Sequence, residues 1–219
     1  TWGTAEARAD IVNTATGVIT GGDTGFLLDA GTVYGDFIND GQITGGGENT
    51  GVHIIADTFA GDVVNNASIA SPYDALVVDS GLLDGAFANT GTIAGGASGV
   101  VMVLGQATGG FTNSGSIDGA SGDGVAITAG VWGAAEARAN SVNTATGVIT
   151  GGDTGFLIDA GTVYGDFIND GQITGNGENT GVHIIAGTFA GDVVNNNEID
   201  APSNALHLEI DTLDGEVVN

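Results

Sequence analysis

The sequence contains almost no positive charge. Its 219 residues include 27 Asp and Glu but only two Arg and no Lys, so the formal net charge is −25. Proteins that bind nucleic acids contact phosphates through Lys and Arg, and anionic lipids attract basic segments for the same reason. We therefore expect no nucleic-acid partner and no attraction to an anionic membrane surface.

Cysteine and long apolar runs are also missing, and there are only two Pro. Without Cys the chain has no disulfides, no thiolate metal ligands and no Cys nucleophile. No apolar run approaches the ~18 residues of a membrane-spanning helix, so we expect no direct membrane insertion. The 41 Gly are not spaced at every third residue, which excludes collagen.

The chain repeats itself at two periods. Residues 12–66 recur at 142–196 with three differences, at Leu28, Gly46 and Asp57. We therefore interpret 1–219 as a single continuous domain, with a super-repeat, 1–130, and a partial second copy, 131–219. Inside the super-repeat an Asn recurs every 24 to 30 residues. Periods of this length are typical of solenoids.

Each unit carries short alternating segments separated by Gly, Asn and Asp, as in "GDFINDGQITG". This pattern is typical of strands and turns, because helices exclude Gly from their interiors. Three apolar clusters per unit predict three strands, each paired in parallel with its copy in the next coil. The predicted fold is all-β: a three-sided parallel β-helix, or β-solenoid, of about eight coils of 24–30 residues. The crossover rule favours a right-handed coil.

The alternation also predicts which side chains face the core. In one coil Phe37, Ile43, Val52, Ile54 and Phe59 should point inward, whereas His53, between Val52 and Ile54, should point outward.

The recurring Asn is predicted to form a structural column rather than a functional site. Asn tolerates the left-handed backbone conformation at a sharp corner, and its amide can bond to the amide of the next coil. The members of the predicted column are Asn13, Asn39, Asn65, Asn89, Asn113, Asn143, Asn169 and Asn195.

Units such as "GDFINDGQITG", "GTFAGDVVNN" and "FTNSGSIDG" resemble the h-x-N-x-G-x-I repeats of Gram-negative autotransporter passengers and related large repetitive surface adhesins. The resemblance covers the whole chain and implies a right-handed β-helix displayed on the bacterial cell surface, with adhesive or structural work. It carries over no functional residues, because the matching motif is the scaffold itself.

Enzymes on β-helices that cleave pectin place acids beside basic residues, but this chain has two basic residues and three His. We therefore expect no enzyme and no organic cofactor.

Ca²⁺ is the one candidate ion, because like charges in successive coils repel and a cation would relieve this repulsion. The candidate ligands are Asp36, Asp62, Asp166 and Asp192, and the alternative is that they are simply solvated.

The two Arg and the two Trp lie together. One Trp and one Arg occur in each of two segments, "TWGTAEARADIVN", 1–13, and "VWGAAEARANSVN", 131–143. Three residues separate Gly35 from Asn39 in an ordinary unit, but nine separate Gly133 from Asn143. The longer unit therefore carries an insertion of six residues between a constant Gly and a constant Asn.

Alternation predicts that Trp132 faces outward, beside Tyr164 of the next coil, and that Trp2 stands beside Tyr34. With Arg8 and Arg138 these residues would form exposed binding steps, since Trp, Tyr and Arg are enriched at hot spots. The steps could dock laterally on the acidic face of an adjacent solenoid or bind surface glycans. The alternative is that Glu136 and Arg138 tie the insertion down while Trp132 lies over the coil beneath it.

The leading interpretation is an extracellular, non-enzymatic structural or adhesive β-solenoid, a segment of a long repetitive surface protein, filament or layer. The second is a carbohydrate-binding module that uses the Trp–Tyr–Arg steps. Bare solenoid ends expose strand edges and interior side chains. We therefore expect a longer array, or other copies of the chain covering the ends.

Overall fold

A computed structural model describes residues 1–47, 49–177 and 180–219. Within these ranges the chain forms 25 strands and no helix. The first nine strands are β1 (Ile11–Asn13), β2 (Val18–Thr20), β3 (Phe26–Tyr34), β4 (Phe37–Asn39), β5 (Gln42–Thr44), β6 (Val52–Ala60), β7 (Val63–Asn65), β8 (Ser68–Ser71) and β9 (Leu76–Leu83). The next eight are β10 (Phe87–Asn89), β11 (Thr92–Gly95), β12 (Val100–Ala107), β13 (Phe111–Asn113), β14 (Ser116–Gly119), β15 (Val125–Trp132), β16 (Ser141–Asn143) and β17 (Val148–Gly151). The last eight are β18 (Phe156–Tyr164), β19 (Phe167–Asn169), β20 (Gln172–Gly175), β21 (Thr180–Ala190), β22 (Val193–Asn195), β23 (Glu198–Asp200), β24 (Asn204–Asp214) and β25 (Val217–Val218).

Every third strand belongs to the same parallel sheet. The sheets run β1-β4-β7-β10-β13-β16-β19-β22-β25, β2-β5-β8-β11-β14-β17-β20-β23 and β3-β6-β9-β12-β15-β18-β21-β24. Each coil contributes one strand to each side, so the predicted three-sided parallel β-solenoid is confirmed. The third sheet, called here the long-strand sheet, has strands of 8 to 11 residues, whereas strands of the other two sheets have 2 to 4.

Identical apolar side chains stack in columns through the core. The Ile that follows the constant Asn pairs with its copy in the next coil from Ile19 to Ile199. The five residues predicted to face inward in one coil are at most 1% exposed, and His53 lies on the outer face, half-buried. Gly51 precedes a long strand where a Cβ would lie 2.6 Å from the Ala75 carbonyl oxygen, so only Gly allows coils to approach there.

The Asn column is confirmed as a continuous amide ladder. Each Asn donates Nδ2–H to Oδ1 of the Asn in the next coil at 2.8 or 2.9 Å, from Asn13 to Asn219. The explanation from left-handed backbone is wrong, because positive φ occurs only at Gly among the described residues. The Asn residues instead end short strands, and amide pairing alone accounts for the column.

Candidate functional site

The structure buries Trp132 completely, so the predicted outward step at this residue is wrong. Trp132 is 0% exposed and its backbone pairs with Val163, not with Tyr164. Alignment of Gly133 with Gly35 makes Val131 the equivalent of Val33, which is 0% exposed, and so predicts Trp132 on the outer face. A slip of one residue moves a strand side chain to the opposite face, and here it places the indole inside.

The indole of Trp132 holds the base of the insertion. Its Nε1–H donates to the Ala139 carbonyl oxygen at 2.7 Å, and the Ala139 N–H donates to the Tyr164 carbonyl oxygen at 2.8 Å. Between these anchors Ala134 and Ala137 exchange two backbone hydrogen bonds, of 2.9 and 3.0 Å. The insertion is therefore a small turn attached to the solenoid at both ends.

Arg138 secures the insertion to coils further along the same chain. Its Nη1 lies 3.2 Å from the Ala190 carbonyl oxygen and 3.7 Å from Asp166 Oδ1, with the side chain half-exposed. Among the sequence-based alternatives, the contacts favour the one in which the Arg ties the insertion down.

The first copy of the insertion makes equivalent contacts. Arg8 Nη2 lies 2.6 Å from the Ala60 carbonyl oxygen and 3.5 Å from Asp36 Oδ1. Trp2 pairs with Val33 and donates Nε1–H to the Ala9 carbonyl oxygen at 2.7 Å, although its side chain is 45% exposed. Both predicted Tyr partners, Tyr34 and Tyr164, are half-buried.

The four Asp residues considered for Ca²⁺ occupy one corner of the solenoid. Asp36 Oδ1 accepts the Asp62 N–H at 2.9 Å, and Asp62 Oδ1 accepts the Ala86 N–H at 2.8 Å. Asp166 and Asp192 make the same bond to the coil that follows each of them. These backbone bonds explain an acid at this corner without an ion, and calcium there stays a prediction.

A cleft that the sequence did not predict opens on the outer face of the long-strand sheet. It has a volume of about 460 Å³ and lies over the last coils. Its titratable lining residues are Asp123, Asp153, His183 and His207. The signal was present in the sequence, because His183 and His207 are 24 residues apart, one of the steps of the Asn column.

Two stacked imidazoles line this cleft, and the carboxylate of Glu209 lies beside them. The rings of His183 and His207 have centroids 4.5 Å apart and are 9° from parallel. Glu209 Oε1 lies 2.9 Å from His183 Nε2 and 3.6 Å from His207 Nε2. These groups can share protons or offer one nitrogen or oxygen each to a cation.

Asp123 brings a further perturbed group to the cleft. Burial raises the pKa of its carboxyl above the usual value, and the neighbouring Asp153 carboxylate raises that pKa further. The Thr154 N–H, which donates to Asp123 Oδ1 at 3.1 Å, acts in the opposite direction, as does His183. A partly buried carboxyl beside a second acid makes this part of the cleft favourable for cations.

Comparison of the chain with protein-family models, curated proteins and solved structures gives no match. The resemblance of the repeats to autotransporter passengers therefore stays a prediction. Over 1–47, 49–177 and 180–219 there is also no helix long and apolar enough to cross a membrane.

Proposed function

We propose that the chain is a segment of a long, non-enzymatic β-solenoid of the bacterial cell surface, which acts as a structural spacer or adhesive rod. One observation supports this most: the ladders pass unbroken through the unit that carries the insertion. Asn113 bonds to Asn143 at 2.9 Å across a coil of 30 residues, because the extra residues project outside the stack. Repeats can therefore be added in tandem without disturbing the core.

The charge of the molecule supports an exposed, extended rod. A net charge of −25 with no Lys keeps a Gly-rich stack soluble and discourages association between strand edges. The apolar columns are nevertheless continuous, so stability comes from stacking neighbours, as expected for a repeat protein.

The partners we propose are further copies of the chain or neighbouring solenoids, joined end to end. Lateral docking through Arg8 and Arg138 has less support, since both guanidinium groups already contact their own chain. The carbohydrate-binding alternative depended on exposed aromatic steps, and the burial of Trp132 removes one of them.

Labelling of intact cells tests the proposed location. An antibody raised against the folded 219-residue chain should label unpermeabilised cells that make the parent protein, and brief protease treatment should remove the label. A cytoplasmic protein of the same cells serves as the control for lysis. Labelling that appears only after permeabilisation would contradict the proposal.

Adhesion is tested separately from location. Beads coated with the purified chain should bind the producing cells or one another if the rod is adhesive, and should remain dispersed if it acts only as a spacer. A glycan array run with the same chain distinguishes the carbohydrate-binding alternative, which requires saturable binding to a defined sugar.

A further inference from the structure

Three potential metal ligands converge on the outer face of the long-strand sheet. His183 of β21 pairs with His207 of β24, and Glu209 follows two residues later on the same strand. Residues two apart in a strand point to the same side, so all three side chains lie outside the core. Val182 and Ile184, on either side of His183, are 0% exposed and fix the orientation of β21.

The separations of the three ligand atoms suit a small divalent cation. Ligand atoms bound to tetrahedral zinc at ~2.0–2.1 Å are roughly 3.3 Å apart. The two distances from Glu209 Oε1 to the imidazole nitrogens, 2.9 and 3.6 Å, bracket that value. All three atoms lie within 4.8 Å of one another.

The stacked rings have to open slightly to share an ion. An imidazole lone pair lies in the ring plane, whereas the planes of His183 and His207 are 9° from parallel. The χ2 torsion of His has broad minima, so a ring turns at small energetic cost. Both side chains are partly exposed, 21% and 42%, which leaves room for this rotation.

We infer that His183, His207 and Glu209 form a site for a divalent transition metal, with Zn²⁺ as the favoured ion and the fourth position open to solvent. Two imidazoles and one carboxylate are a donor set that zinc uses, and imidazole selects zinc over Ca²⁺ and Mg²⁺. Asp123 and Asp153, which line the same cleft, add a negative potential that attracts cations. The site goes beyond the proposed structural role, which does not depend on it.

The first copy of the super-repeat provides an internal control. The residues equivalent to His183, His207 and Glu209 are His53, Val77 and Asp79. His53 pairs with Val77 in the same register in which His183 pairs with His207. The first copy therefore has one imidazole where the second has two, on the same backbone.

Calorimetric titration of the metal-free 219-residue chain with ZnCl₂ tests the inference. We expect one ion per chain for wild type and for His53→Ala, and an affinity at least ~10-fold lower for His207→Ala and for Glu209→Gln. Titration with Co²⁺ should give the visible absorption of four-coordinate cobalt only in wild type and in His53→Ala. Circular dichroism shows whether each variant is folded. If His207→Ala does not fold, the zinc affinity of Glu209→Gln, which keeps the side-chain shape, is the deciding measurement.

A gain-of-function variant tests the geometry directly. Val77→His combined with Asp79→Glu recreates the donor set beside His53, and we expect the stoichiometry to rise from one zinc to two. The inference is overturned if wild type binds no zinc or if His53→Ala weakens binding as much as His207→Ala. It is also overturned if Glu209→Gln leaves the affinity unchanged, or if the double variant still binds a single ion.

Discussion

At the residue scale, the buried amide of Asn113 shows how one side chain joins three coils. Its Oδ1 accepts from Asn89 at 2.8 Å, while its Nδ2–H group donates to Asn143 Oδ1 at 2.9 Å and to the Gly115 carbonyl at 3.2 Å. The side chain is 0% exposed, so water cannot replace these partners. A break in the ladder therefore leaves buried polar groups unpaired on both sides.

We predict that Asn113→Ala lowers the free energy of unfolding by about 1–3 kcal/mol, the cost of buried unsatisfied groups. Asn113→Asp should cost more at pH 7, because it places a charge in the core. Burial raises the native pKa of such a carboxyl, so its penalty should diminish as the pH falls towards about 4, the ordinary range of Asp. Urea denaturation at both pH values measures this.

The neighbouring Thr112 supplies the control for that experiment. It is exposed on the same short strand, so Thr112→Ala should leave the free energy of unfolding nearly unchanged. An Asn113→Ala variant as stable as Thr112→Ala would show that the ladder contributes nothing to stability.

Asp123 should make the stability of the protein depend on pH in the opposite direction to an ion-paired acid. Because its native pKa is raised, chiefly by burial, the native state holds the proton more tightly than the unfolded state. The stability this provides is complete below about pH 4 and is lost as the pH rises through the native pKa. Ionised Asp123 therefore opposes folding at neutral pH.

We predict that Asp123→Asn is more stable than wild type at pH 7, because the amide oxygen can still accept the Thr154 N–H while the charge is gone. At about pH 3 the two proteins should melt at nearly the same temperature, since the carboxyl is then protonated in both native and unfolded states. Thermal melts at the two pH values measure the difference. A variant less stable than wild type at pH 7 would mean that the carboxylate is paired more strongly than described.

At the scale of elements, the insertion and its anchors form one unit, present in two copies with different burial. Trp132 is 0% exposed between coils, and Trp2 makes the equivalent hydrogen bond while 45% exposed. The pair separates the effect of burial from that of the hydrogen bond.

We predict that Trp132→Ala lowers the free energy of unfolding by about 3–5 kcal/mol, as for other buried aromatic residues. Trp2→Ala should cost clearly less, because a smaller share of its surface is removed from water. Urea denaturation of the two variants gives the comparison, and equal losses would contradict the assignment of Trp132 to the core.

Arg138→Glu should lower the melting temperature by a few degrees. The substitution removes the bond to the Ala190 carbonyl and places a carboxylate beside Asp166, an exposed contact worth about 1 kcal/mol or less. Arg138→Gln, which removes the charge without adding repulsion, is the control. It should melt at a temperature between those of wild type and Arg138→Glu. An unchanged melt in Arg138→Glu would instead favour the lateral docking inferred from sequence.

How much the sequence predicts depends on whether the repeat fixes the register. The Ile and Asn columns were predictable because the same residue recurs at each coil, and pairing follows from the period. Trp132 was misplaced because the insertion follows it directly and the Gly alignment there is one residue out of step. Register errors of this kind reverse the face of a side chain.

Other features depend on contacts that a linear sequence hides. Ser141 occupies the position held by Phe111 and Phe167 in adjacent coils, and Phe156 fills the space by packing its ring 5.2 and 5.3 Å from theirs. The 24-residue step predicts that His183 stacks on His207, but the cleft beside them forms only where Asp123 and Asp153 of earlier coils join them. Volume compensation and side-chain clusters between coils need the three-dimensional register.

At the scale of the whole molecule, the solenoid is a rod whose length is proportional to the number of coils. One super-repeat of 130 residues contains five coils. At the ~4.8 Å spacing of parallel strands this corresponds to about 24 Å of length, with no change in cross-section. Added repeats would therefore change the reach of the solenoid and not its shape, which is what the proposed spacer or adhesive rod requires.

Small-angle X-ray scattering of purified chains lengthened by one and by two 130-residue super-repeats tests whether coils stack along one axis. We predict that the maximum dimension grows by about 24 Å with each addition, while the cross-sectional radius of gyration stays constant. Growth of the cross-section at a nearly constant maximum dimension would show that the repeats pack side by side, and would contradict the stacked solenoid.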